Sequence, residues 1–449
     1  MTEATGTVPE STREQAPRSL RGLLQALNLD TRLLGMVGAL AVIWIGFQIL
    51  SGLTGPKHDI FSGTFLTPVN LYNLAQQSVS VGIMATGMVL VIVSRNIDLS
   101  IGSILGLTGY TMAMVQVIWI PKSLGLGFDQ PYTWIIALAI GIALGAAIGA
   151  FQGFLIAYGK VPAFIVTLGG LLVWRGLVFE EQQGQTISPL DKTFQLLGGS
   201  PTASLGDVAS WILGVLACAG IVYTLIATRR KRRKYGFPVR PTWALAVLMG
   251  LGCLAILGFV WIMNSYAWPP GLATQYAHDH GITQPPGGLQ IATGIAYPVI
   301  ILIGVTLVMT YITTRRRFGR YVFAIGGNPD AAELGGINVR RTIMLTFVLI
   351  GVLAAISGAV QSARLQAAVT SLGTQAELDV IAAAVIGGTS FSGGIGTIPG
   401  AVLGAVVMQS LRSGMLLLRV DSPIQDIVVG VVLVSAIAFD TYVRGRSAR

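Results

Sequence analysis

The chain has 449 residues, of which 53% are hydrophobic and only 11% charged, and its formal net charge is +10. Soluble domains carry about 25% charged residues, so a soluble enzyme is excluded, and the apolar runs are continuous rather than alternating, which excludes a β-barrel. The basic residues sit in short loops beside those runs, as the positive-inside rule expects, and so do not point to nucleic acid.

Residues 1–31 are polar, mix both charge signs and lack the apolar core and cleavage site of a signal peptide; they are expected to form a disordered cytoplasmic tail. Apolar runs follow at about 33–50, 74–93, 99–120, 132–158 and 162–180. A polar loop leads to a run at 209–227, the basic stretch TRRKRRKYGFPVR, a run at 242–263 and a loop with Pro, Gly and Trp up to about 292. The run at 294–313 ends in TTRRRFGRY, and the polar stretch GGNPDAAELGGINVRR occupies 326–341. The last runs lie at about 342–363, 379–392, 397–417 and 424–441. A span needs about 20 residues. The sequence therefore predicts an all-α polytopic membrane helical bundle of about twelve transmembrane helices over 32–449. The run at 379–392 is short and reads either as a span or as a re-entrant turn.

Lys and Arg cluster at 229–234, 315–320, 340–341 and 444–449. Counting runs between them puts every cluster, and both termini, in the cytoplasm. Thr228-Arg229-Arg230 and Thr314-Arg315-Arg316 open two similar basic loops, read as positive-inside anchors rather than lipid or nucleic-acid sites. Cys218 and Cys253 both fall inside apolar runs, so neither a disulfide nor a metal is implied.

The stretch 326–341 is built for a short helix. Asn328 can cap it, Pro329 suits the first helical position, and Asp330 complements the dipole. Gly335 and Gly336 can end it in the left-handed region. A helix of about six residues, roughly 10 Å long, is predicted in the cytoplasmic loop 314–341, with Glu333 as its exposed charge.

Two further stretches are candidates for a translocation pathway. SRNIDLSIGS (94–103) sets Asn96, Asp98 and Ser100 between two apolar runs. These could hydrogen-bond sugar-like hydroxyls, or Asp98 could cap the next helix; the sequence leaves both open. GGTSFSGGIGTIPGA (387–401) carries Thr389, Ser390 and Ser392. Pro399 stands where a dinucleotide loop needs glycine, so a broken helix or tight bend is expected instead.

Other features have plainer readings. Gly141, Gly145, Gly149 and Gly153, and again Gly396, Gly400 and Gly404, recur every fourth residue and predict close helix–helix contact. Arg175 is read as snorkelling at the outer interface rather than as a pathway residue. His278-Asp279-His280 is a solvated loop without further metal ligands. Gly159-Lys160 lacks the rest of a phosphate-binding loop, so the chain does not hydrolyse ATP by itself.

Four stretches together resemble the permease subunits of carbohydrate ABC importers of the ribose and xylose type. They are GMVLVIVSRNIDLSIGSILGLTG, KVPAFIVTLGGLLVWRG, FGRYVFAIGGNPDAAELGGINVRRT and ELDVIAAAVIGGTSFSGGIGTIPGAVLGA. The extra two-helix segment near 205–292 is similar to the longer xylose-type branch. The resemblance implies a permease, not an enzyme, without cofactors, multi-pass in the cell membrane (the inner membrane in a Gram-negative cell). Its implied partners are ABC ATPase subunits, an extracytoplasmic sugar-binding protein, a second permease copy in a homodimer, and membrane lipid. The implied cargo is D-xylose or a related pentose, with ribose, galactose or a branched-chain amino acid as alternatives. It also implies that Asn328, Pro329, Asp330, Glu333, Gly335, Gly336 and Arg340 form an element that docks into a groove of the ATPase. An ion-coupled secondary transporter is the competing class. It would show intramembrane carboxylates or an inverted repeat; carboxylates in the runs are few, and no convincing repeat is visible.

Overall fold

The computed structural model describes residues 31–55, 58–283, 285 and 288–447. The expected tail at 1–31 lies outside these residues apart from Thr31. In chain order the helices are α1 (Thr31–Thr54), α2 (Pro68–Val93), α3 (Ile101–Met114, continued as a π-helix over Val115–Ser123), α4 (Thr133–Ala157) and α5 (Ala163–Gln182). There follow the one-turn α6 (Lys192–Gln195), α7 (Asp207–Lys234), α8 (Thr242–Asn264), α9 (Pro270–Asp279) and α10 (Tyr297–Arg315). The last are α11 (Arg317–Gly327), α12 (Pro329–Leu334), α13 (Val339–Leu365), α14 (Ala376–Ile386), α15 (Ile398–Leu417) and α16 (Ser422–Ser447). Among the described residues, extended pairing is limited to isolated bridges.

Among the described residues, ten helices are long and apolar enough to cross a membrane, against the roughly twelve expected. α16 contributes only the shorter apolar stretch Ser422–Ala438. The run at 379–392 is not a span: α14 has 11 residues and so reaches about 16 Å, half the thickness of the hydrocarbon core. It stops because Gly387 begins a loop in which Gly388, Gly393 and Gly394 all take positive φ, a region open to glycine at no steric cost.

The chain divides into two compact units, 1–34 with 211–261 and 35–210 with 262–449. In the described part of the first, α7 and α8 carry the basic turn. Gly214 faces the Val260 side chain and the Cys218 thiol lies 3.9 Å from the Cys253 carbonyl. Leu216, Tyr223, Leu254 and Trp261 stand exposed, as lipid-facing side chains do.

In the second unit α2 is buried along most of its length, and α13 packs against α4, α3 and α2. The predicted glycine ridge makes the α4–α13 contact. A side chain on Gly145 would run into the Gly351 carbonyl, one on Gly149 into that of Phe347, and one on Gly153 into Met344. Gly400 and Gly404 do the same for α14 and α15, lying against the backbone of Gly387 and Ala383. Without a hydrophobic drive between helices in lipid, such close backbone approach supplies the packing energy.

Candidate functional site

The GGNPDAAELGGINVRR stretch folds as expected. α12 has six residues, and the Asn328 side chain accepts from the Ala331 amide at 3.0 Å. Its far end closes with Gly336 at φ +81, the Ile337 amide donating to the Ala332 carbonyl at 3.0 Å and the Gly336 amide to Glu333 at 2.9 Å. This is a Schellman ending. The left-handed residue is Gly336 alone; Gly335 has φ −75 and needs no special freedom. Asn338 caps α13 by accepting from the Arg341 amide at 2.9 Å. Asp330, Glu333 and Arg340 are exposed while Ala332 is buried. Leu334 is 91% exposed, an apolar side chain presented on a capped platform.

The helix is anchored to both candidate pathway stretches. The Arg95 Nε donates to the Gly326 carbonyl at 2.8 Å, and its Nη2 to Gly327 at 2.8 Å, at the end of α11 just before α12. The Gly394 amide donates to the Val93 carbonyl at 3.0 Å, and Gly393 packs on Arg95 and Gly326. Thr389 and Ser390 are buried in this loop, with the Ser390 and Ser392 hydroxyls 2.7 Å apart. Asn96 turns back onto Ser94. Asp98 is fully buried; its Oδ1 accepts from the Ser100 amide at 2.8 Å and hydroxyl at 2.6 Å. Ser100 in turn reaches the Gln152 amide of α4. Burial pushes the Asp98 carboxyl above its ordinary range, and the hydrogen bonds from Ser100 oppose that rise. Asp98 thus makes a two-residue turn onto Ser100, the residue that precedes α3, and both stretches lie beside the end of α11 that leads into α12.

A polar cavity of about 240 Å³ lies elsewhere, between α2, α13, α14 and α15. Gln76, Ser80, Gln361, Arg364, Gln409 and Arg412 contribute to its wall. The Ser80 hydroxyl is 2.6 Å from that of Ser357, and the Gln76 Nε2 donates to the Gly199 carbonyl at 2.7 Å. Arg412 pairs with Asp379 of α14 at 2.8 Å and approaches Asp426 of α16 at 3.8 Å. Arg364 makes no salt bridge among the described residues. The wall thus offers amides, hydroxyls and a guanidinium, the donors and acceptors that suit a polyol. Along α13, Gln361 is 22 residues from Val339, or about 33 Å. The cavity is therefore at the end of the bundle opposite α12.

Sequence reasoning missed these residues, though a signal existed. QSAR (361–364) and QSLR (409–412) repeat one pattern on two apolar helices, and Gln76-Gln77 with Ser80 interrupts a third. Polar side chains at span depth are functional candidates. Arg175 is also placed differently from expectation. It does not snorkel freely: its Nη1 donates to the Leu372 carbonyl at 2.9 Å and pins the segment before α14.

Residues 70–437 match the family described as branched-chain amino acid transport system / permease component. The chain belongs to this family. It is similar to the xylose transport system permease protein XylH of Haemophilus influenzae, 37% identical over 418 residues that cover 93% of this chain and 98% of the relative. The Escherichia coli K12 protein of the same name is 36% identical over 424 residues, 94% of this chain and 95% of the relative. The Escherichia coli K12 ribose import permease protein RbsC is 33% identical over 379 residues, 84% and 88% of the two chains. No solved structure matches the chain. The permease is thus a multi-pass cell-membrane protein and not an enzyme.

Proposed function

We propose that this permease is the membrane subunit of an ATP-driven importer for D-xylose or a closely related pentose. The observation that carries the sugar assignment is coverage. The xylose permeases match over 93% and 94% of this chain, against 84% for the ribose permease, which leaves more of the chain unmatched. In this reading two copies form the pore. Both termini and the arginine-rich loops face the cytoplasm, and α12 sits in a groove of each ATPase subunit. The polar cavity faces the other side, where an extracytoplasmic binding protein releases sugar. Gln76, Ser80, Gln361, Arg364 and Gln409 then offer the first hydroxyl contacts in the membrane. Asn96, Asp98, Ser100, Thr389, Ser390 and Ser392 form the closed inner wall that ATPase closure must move.

Uptake of labelled xylose, ribose and galactose into proteoliposomes tests this, with the permease reconstituted together with an ABC ATPase subunit and a sugar-binding protein from the same organism. Xylose uptake that needs all three components and ATP is expected. Transport by the permease alone would make it a secondary transporter, and a preference for ribose would reassign the cargo.

A further inference from the structure

The cluster Arg315, Arg316, Arg317 and Arg320 has a feature its charge did not reveal. It rims an apolar groove of about 800 Å³ between the end of α10, the start of α11 and the first half of α13. The walls are Ile312, Leu345, Val348, Leu349 and Val352. Two local devices open it. Arg316 is extended at φ −91 and ψ 154, which turns the chain sharply from α10 into α11. Gly319 then packs directly on the backbone of Ile312 and Thr313, an approach a side chain would block. The arginines stay at the rim: Arg316 stacks over Tyr311 at 5.0 Å, and Arg320 donates to the Arg315 carbonyl at 3.3 Å. No carboxylate lines the groove, and none of the four guanidinium groups is ion-paired among the described residues.

We propose that this groove binds one anionic membrane phospholipid, its phosphate among the four arginines and an acyl chain along α13. The charge complementarity is direct, since guanidinium groups recognise phosphate with paired donors. The apolar walls select a lipid over a free phosphate or a sugar phosphate, neither of which carries an acyl chain to lie along them. From Leu345 to Val352 the wall runs about 10 Å along α13, so it seats the part of the chain nearest the headgroup. The stronger basic loop at 229–234 is the internal contrast. It has more charge, yet the cavity beside it holds only about 110 Å³. A positive-inside anchor needs charge alone; a lipid site needs the groove as well. α11 runs directly from this groove to α12, so an occupied site would stiffen the support of the coupling element. The assignment does not depend on which sugar is carried.

The test is native mass spectrometry of the intact importer released from vesicles of equal phosphatidylglycerol and phosphatidylcholine. Retained phosphatidylglycerol is expected, at least tenfold over phosphatidylcholine. The Arg315→Gln, Arg317→Gln, Arg320→Gln variant should bring that preference within twofold, while the same three changes to Lys keep most of it. Val348→Trp fills the groove without touching charge and should lower retention of both lipids; it also reads the site if the Gln variant is poorly folded. Equal retention of the two lipids by the unaltered importer overturns the proposal. So does an intact complex with no lipid adduct, the result expected if a second permease copy or the ATPase covers the groove.

Discussion

The two ends of the second unit are built by different means. At the end proposed to couple to the ATPase, long-range bonds from Arg95 hold the end of α11, but the bonds that shape α12 itself are local: Asn328 to Ala331, Ile337 to Ala332, Asn338 to Arg341. At the cavity end they join remote parts of the chain, 277 residues apart for Ser80 and Ser357 and 123 for Gln76 and Gly199. A cap forms wherever its few residues are present. A cavity wall exists only once several helices have been set in register. The coupling end should therefore lose function without losing structure, and the cavity end should couple the two.

The largest effect is expected at the cavity end. Arg412→Ala leaves the Asp379 carboxylate, only 10% exposed, without its 2.8 Å partner. Stranding a buried charge costs about 3–5 kcal/mol, so membrane abundance and thermal stability should both fall sharply. The double variant Arg412→Ala, Asp379→Ala should recover most of the abundance and little of the sugar uptake. Full uptake in the double variant would show the pair to be structural only, and the contrast between the two ends would lose its functional half.

At the coupling end, Glu333→Lys with Gly336→Val should leave abundance unchanged and uncouple the importer. A side chain forced into the left-handed region costs roughly 1–2 kcal/mol, and a lost charged hydrogen bond about 1.5–3 kcal/mol. ATPase pull-down and sugar-stimulated hydrolysis in nanodiscs read the result, with at least a tenfold loss of ATPase affinity expected. Normal binding and stimulation would reduce α12 to a connector. Gly335→Ala serves as the mild control, since that residue does not use positive φ.

The smallest effect sharpens the account of the inner wall. Asp98→Asn keeps an Oδ1 acceptor for Ser100, so abundance should stay near normal. Asp98→Ala removes the acceptor and should cost about 1 kcal/mol, as a lost intramolecular hydrogen bond does, read as a small drop in melting temperature. If Asp98→Asn keeps abundance but abolishes uptake, Asp98 acts on the sugar path after all.

Much of this was legible in the residues. Continuous apolar runs determined the helical membrane class, because a backbone in lipid must bond to itself. Asn328, Pro329 and Gly336 determined α12, because capping involves only neighbours. Glycines at every fourth position determined that α4 would lie close to another helix. What the runs could not reveal was depth or partner. Residues 379–392 are as apolar as a span, yet chain reversal at Gly388 and Gly393 makes them half of one. SRNIDLSIGS leaves a pathway role and a helix cap equally open, and only packing shows Asp98 turned onto Ser100. QSAR and QSLR looked unremarkable until α13 and α15 brought them to one cavity, and the arginines at 315–320 looked like an anchor until α13 supplied the groove's other wall. Period and capping are properties of a few neighbouring residues; which faces meet is decided by helices hundreds of residues apart, and that only the tertiary structure sets.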